Sequence, residues 1–254
     1  MNRGEDQRRQ WHGVSPEYLD DGYSVATDRR ALARIKRDMI RRYARPTERA
    51  CDIGCANGGW LDFLSPLVAT AVGVDRSQDM LRLAVAKMTQ RGHDNAVMAC
   101  CDATSLAFAD SSFGLIACYS TLSLVSEPQA MLRELCRVMR PNAYLLIDVM
   151  GRHNLGFGHW NRWHRRQGRF GSTAFGWRDL RATFDRLGMR IVETRALGVF
   201  DQWQFIPGLR YLLVLRRFCP SVFKLADRVD EALSNLPSLR PFAGRWLLAV
   251  ERVR

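Results

Sequence analysis

Between residues 49 and 149, five short apolar runs alternate with stretches of helical periodicity. The runs are Arg49–Ile53, Ala69–Val74, Asn95–Cys100, Phe113–Tyr119 and Tyr144–Val149. Among them lie Gly59–Leu67, Ser77–Thr89 and Pro128–Met139, the second with Met80, Leu81, Ala84, Val85 and Met88 on one face. Arg140-Pro141-Asn142 closes the last of these helices. Strand and helix in this rhythm predict parallel strands with right-handed crossovers, and so an open, doubly wound α/β sheet with helices on both faces. Phe113–Tyr119 is apolar nearly throughout, as a strand buried on both faces must be.

The flanks complete the outline. From Tyr18 to Ala44 the pattern is helical, with Leu32, Ile35, Met39, Ile40 and Tyr43 at helix-compatible spacing, and Pro46 ends it. Residues 1–16 are polar. After Met150 comes a loop rich in Gly, His, Trp and Arg; Gly176–Leu187 then predicts a helix, and Met189–Val199 and Trp246–Val253 two more strands. The expected division is an N-terminal helical cap over 1–46 and one domain over 47–254, with an insertion at about 200–244.

The turn after the first strand reads Asp52-Ile53-Gly54-Cys55-Ala56-Asn57-Gly58-Gly59. Glycine permits positive φ and close backbone approach, and the helix that follows offers free N–H groups to a ligand. Asp75 ends the second strand, where a carboxylate can accept both hydroxyls of a ribose. Asp102 follows the third, where a side chain can accept an adenine amine. The fourth strand opens into Tyr119-Ser120-Thr121-Leu122. All of these fall at the carboxyl ends of strands, where open α/β sheets bind ligands.

With these residues in place, the run from about Thr47 to Val149 resembles class I (Rossmann-like) methyltransferases dependent on S-adenosylmethionine (SAM), of methyltransferase type 11-like pattern. The matching segments are Cys51–Gly58, Val72–Ser77, Cys101–Ala103, Leu106–Phe113 and Arg137–Ala143. The resemblance implies SAM as cofactor and a seven-stranded, mostly parallel sheet whose final pair, 189–199 and 246–253, is an antiparallel hairpin. It also implies a cofactor site that includes Asp52 and Cys55, with Gly54, Ala56 and Gly58 at the methionine part, Asp75 at the ribose, Asp102 and Ala103 at the adenine, Arg76 or Met80 flanking the ring, and Tyr119 near the reactive end. Three positions depart from the pattern. Ala56 replaces the middle glycine, which suits a negative φ; Gly114 replaces an Asp; Leu124 stands where many relatives carry His. A dinucleotide-dependent dehydrogenase would need G-x-G-x-x-G, but Gly54 and Gly58 are four apart with no glycine between them.

The implied activity is methyl transfer to a small-molecule acceptor, as O-methylation of a sugar, lipid-linked or other hydrophobic metabolite. The alternatives are an RNA methyltransferase and a non-catalytic SAM-binding protein. The net charge of +12, nearly all arginine, permits anionic partners, but no RNA-binding module is recognisable. The weak candidates for a catalytic base are Asp148, His153 and His12, with His159 and His164 in the following loop. Residues 205–225, apolar with basic punctuation, suit a peripheral membrane contact, a lid or a dimer surface. Seven cysteines without zinc spacing predict reduced thiols and no metal site, and the polar N-terminus predicts a cytoplasmic protein.

Overall fold

The computed structural model describes residues 31–154, 157–158, 161–162, 166, 173–199 and 220–253. Seven strands form one sheet: β1 (Arg49–Ile53), β2 (Thr70–Asp75), β3 (Ala96–Cys100), β4 (Phe113–Cys118), β5 (Met139–Met150), β6 (Met189–Leu197) and β7 (Arg245–Arg252). Their order is β3-β2-β1-β4-β5-β7-β6. Strands β1 to β5 run parallel, and β7 enters antiparallel between β5 and β6. The expected sheet and its final antiparallel pair are therefore present.

Among the described residues the helices that flank it are α1 (Ala31–Tyr43), α2 (Gly59–Leu64), α3 (Gln78–Arg91), α4 (Pro128–Val138), α5 (Trp177–Arg186) and α6 (Pro220–Ser234). One apolar layer packs Met131, Leu132, Leu135, Leu180 and Phe184 of α4 and α5 against Ile53, Ile116, Ile147 and Leu248. The opposite layer packs Ile35, Met39, Ile40, Leu61 and Leu64 of α1 and α2 against Ala50, Leu115, Ala117, Leu146 and Leu247. Alternation along each strand sends successive side chains to opposite layers, so Asp52, Tyr119 and Asp148 share the α1–α2 side with their apolar neighbours.

A boundary differs from the sequence reading. Arg140-Pro141-Asn142 ends α4 but not the regular structure: β5 starts at Met139, which pairs with Phe113 ahead of a register shift. Asn142 absorbs the bend at φ 61°, a conformation its short polar side chain tolerates. Within the expected insertion at about 200–244 lie α6 and a short 3-10 turn at Arg240–Phe242. Residues 1–30 and 200–219 lie outside the described residues, and with them His12 and most of the 205–225 segment. Among the described residues no helix is long and apolar enough to cross a membrane.

Candidate functional site

The glycine-rich turn is pinned to β2 from below. Gly54 and Cys55 both donate their amides to the Val74 carbonyl, at 2.8 and 2.9 Å. Gly54 stands at φ 73°, and a Cβ there would run into the Thr121 side chain. Gly58 caps α2 at φ 78°. Ala56 also lies in the left-handed region, at φ 48°, which corrects the expectation of a negative angle. Its amide donates to Asp75 Oδ2 at 2.9 Å, and this bond holds a conformation an L-residue otherwise resists.

Asp75 accepts from Ser77 N through its other oxygen, also at 2.9 Å. Burial raises its carboxyl above the ordinary value, while those amides work against the shift. The Arg76 amide also acts on this carboxylate, and of its roughly four acceptor sites about one remains for a hydroxyl donor. Asp52, at the end of β1, is buried and its Oδ2 has no hydrogen-bond partner. Burial, and next the charge of Asp75, pushes its carboxyl up to about 7. An unsatisfied buried carboxylate oxygen is costly, and at a ligand site it marks where a donor is expected.

Asp102 folds onto its own turn, Oδ1 accepting from Thr104 N at 2.9 Å and Thr104 Oγ1 at 2.7 Å. Its second oxygen lies 3.4 Å from the Arg76 guanidinium. Ala103 and Met80 are buried beside this turn and at the start of α3. Cys55 is buried, and desolvation raises its thiol well above the usual range, which disfavours the thiolate. Tyr119 turns toward α1: its hydroxyl donates to the Lys36 carbonyl at 3.4 Å, and its ring meets Trp60 edge-on at 5.3 Å.

Beyond β4 the chain turns at Ser120, with φ 59°. Thr121 Oγ1 donates to the Ile53 carbonyl at 3.0 Å, tying this turn to the first. Leu124 lies in the 3-10 turn Leu122–Leu124, and the Ser123 carbonyl accepts from Thr173 N at 2.6 Å. That bond returns the chain after β5 to the mouth of β4.

Asp148 is a buried hub. Its Oδ2 meets Lys36 Nζ at 2.9 Å and the Arg245 guanidinium at 2.8 Å, and its Oδ1 accepts the Ser120 amide. Burial alone would raise this carboxyl; the Lys36 and Arg245 charges and the Ser120 amide bring it down to about 2. His153 is exposed, its ring 5.3 Å from that of Phe242. His159 and His164 lie outside the described residues.

Sequence reasoning missed Lys36 and Arg245. A signal for Lys36 was there: it falls four residues after Leu32 and three before Met39, inside the apolar stripe of α1. The departure at Gly114 also has a cause. A Cβ at that position would fall on the Glu48 carboxylate, which reaches across from the start of β1 and lies 3.5 Å from Arg140.

Comparison with known proteins places these features in context. Residues 51–147 match the family described as a methyltransferase domain. The chain is 38% identical over 120 residues to a demethylmenaquinone methyltransferase of Roseiflexus sp. (strain RS-1), covering 44% of this chain and 48% of the relative. It is 26% identical over 254 residues to a malonyl-[acyl-carrier protein] O-methyltransferase of Methylococcus capsulatus, covering 91% and 88%. The crystal structure of YcgJ from Bacillus subtilis superposes with a TM-score of 0.56 at 17% identity, covering 86% of this chain and 96% of that one. At that identity the likeness is one of fold. The chain spans about half the length of several curated relatives it matches, YcgJ and the Roseiflexus enzyme among them.

Proposed function

We propose, from the methyltransferase domain that residues 51–147 match, that the protein binds SAM and transfers its methyl group to a small-molecule acceptor. The acceptor atom we assign is an oxygen of a sugar, lipid-linked or other hydrophobic metabolite. The observation that carries the reading is the paired acid geometry: Asp52, buried at the end of β1, feels the charge of the half-buried Asp75, and both stand at the left-handed turn Gly54–Gly58. Two relatives support a metabolite acceptor, one named for demethylmenaquinone and one for malonyl-[acyl-carrier protein].

The residues present fit the cofactor. The unpartnered Asp52 Oδ2 suits its ammonium, the remaining acceptor capacity of Asp75 suits a ribose hydroxyl, and the Asp102–Ala103 turn with Arg76 and Met80 suits the adenine. When bound, SAM supplies a methyl group already activated by its sulfonium. The chain's task is then placement. Orientation of two reactants can lower a barrier by about 7–11 kcal/mol in the best cases. Gly54, held against Thr121, fixes one wall, and the Ser120–Thr121 turn fixes the mouth.

No described residue is an evident proton acceptor at that mouth. Asp148 carries two cations and has little basicity, so we assign it a positioning role; His153 rests on Phe242. An acceptor that loses its proton readily suits such a site.

Calorimetry with SAM and with its demethylated product tests the proposal. Both should bind wild-type protein, and Asp75→Ala should lower affinity by about a hundredfold, the loss of charged hydrogen bonds worth roughly 2–3 kcal/mol. Absence of binding by either compound to the wild-type protein overturns it.

A further inference from the structure

A lysine buried inside an apolar layer is expensive to desolvate, and burial of an ion pair does not by itself stabilise a fold. The Lys36 side chain is nonetheless only 4% exposed, its ammonium 4.7 Å from the Tyr119 ring centroid and 5.5 Å from that of Trp60. What it touches explains why it is there. Beyond Asp148, Nζ lies 3.3 Å from Ser120 Oγ, so one cation holds both the carboxylate and the residue whose amide that carboxylate accepts.

Ser120 needs holding. Its left-handed backbone is one that serine leaves readily when nothing fixes it. The next residue, Thr121, fills the space that a side chain on Gly54 would take and bonds to Ile53. A continuous line of contacts therefore runs from α1 through Lys36, Asp148, Ser120 and Thr121 to the first turn of the cofactor loop.

We infer that Lys36 is a positioning residue for methyl transfer, fixing the left-handed Ser120 turn and through Thr121 the seat of Gly54. The inference rests on the proposed SAM site and assigns a task to the N-terminal helix that packing alone does not require. Lys36 acts through its neighbours and takes no part in bond making.

The discriminating experiment uses glycine, which adopts positive φ without penalty. Lys36→Met is made in the wild type and in a Ser120→Gly background, and SAM affinity is measured by calorimetry for all four proteins. In the wild-type background the substitution should weaken binding about tenfold; in the Ser120→Gly background its effect should shrink to about threefold or less. An equal loss in both backgrounds, or no loss in either, overturns the inference, because a lysine that merely docks α1 would act identically whatever stands at 120.

Amide hydrogen exchange provides a second readout that needs no ligand. Lys36→Met should lose protection at Ser120 N while the β1 and β4 amides keep theirs; unchanged Ser120 protection overturns the inference. Lys36→Gln, which removes the cation and is too short to reach both Asp148 and Ser120 but stays polar, runs in parallel should Lys36→Met fail to fold, and must show the same selective loss. Failure of wild-type protein to bind SAM would sink the proposed function instead, and the exchange measurement would still decide the role of Lys36.

Discussion

Ala56 donates its amide to Asp75 Oδ2 across 2.9 Å from a backbone bent to φ 48°. The bond joins the cofactor loop to the end of β2 and makes one residue serve two constraints. An alanine there carries a steric penalty that glycine would not.

Ala56→Gly should therefore stabilise the protein by up to about 1 kcal/mol, the left-handed penalty being partly cancelled by the greater freedom of glycine in the unfolded chain. Urea unfolding of both proteins checks this. SAM affinity should not fall, because the amide that reaches Asp75 is retained.

Gly54→Ala should act in the opposite sense. Its φ of 73° and the Thr121 side chain both oppose a Cβ, and the cost should be about 2–3 kcal/mol with loss of SAM binding. Thr121→Ala in the same chain should return part of the stability but not all, since the backbone penalty remains. Thermal melts of the two single variants and the pair separate these terms.

Asp52 sets a pH dependence. Its carboxyl, raised to about 7 by burial and by Asp75, is protonated in the free protein below that pH, whereas the unfolded chain has released the proton above roughly pH 4. The folded state holds the extra proton, so this group's contribution to stability is present below about pH 4 and is lost as pH rises toward 7. Binding a cofactor ammonium requires the ionised form, so SAM affinity should fall up to about tenfold per pH unit below 7 and level off just above it. Calorimetry across this range, with Asp52→Asn giving a flat profile, is the check.

Gly114→Ala should be mild despite the collision with Glu48. The obstacle is the end of a flexible side chain that can swing away, giving up its 3.5 Å approach to Arg140. A loss of about 1 kcal/mol or less is expected, and Glu48→Ala should remove most of it. Chemical denaturation of the four proteins measures both.

The sheet was legible because its signal is local. Buried parallel strands announce themselves as apolar runs, and Asp52, Asp75 and Asp102 mark the carboxyl ends of three in succession. What escaped lies in contacts between distant positions. The sign of φ at Ala56 depends on an acceptor nineteen residues on, and the worth of Lys36, on a helix, depends on a carboxylate on β5. The start of β5 was misplaced because Pro141 and Asn142 read as a stop, although Met139 still finds Phe113. Glu48 explains Gly114 only after β1 and β4 lie side by side, and nothing in either segment alone announces it.

Asp148 draws one cation from α1 and another from β7, with β5 between them in the chain. A growing polypeptide that has made β1 to β5 still lacks the second, and β5 has an open edge where β7 will pair. The mouth of the site is thus electrically complete only when early and late segments have both docked. One buried carboxylate makes the geometry of this mouth depend on segments more than two hundred residues apart in the chain.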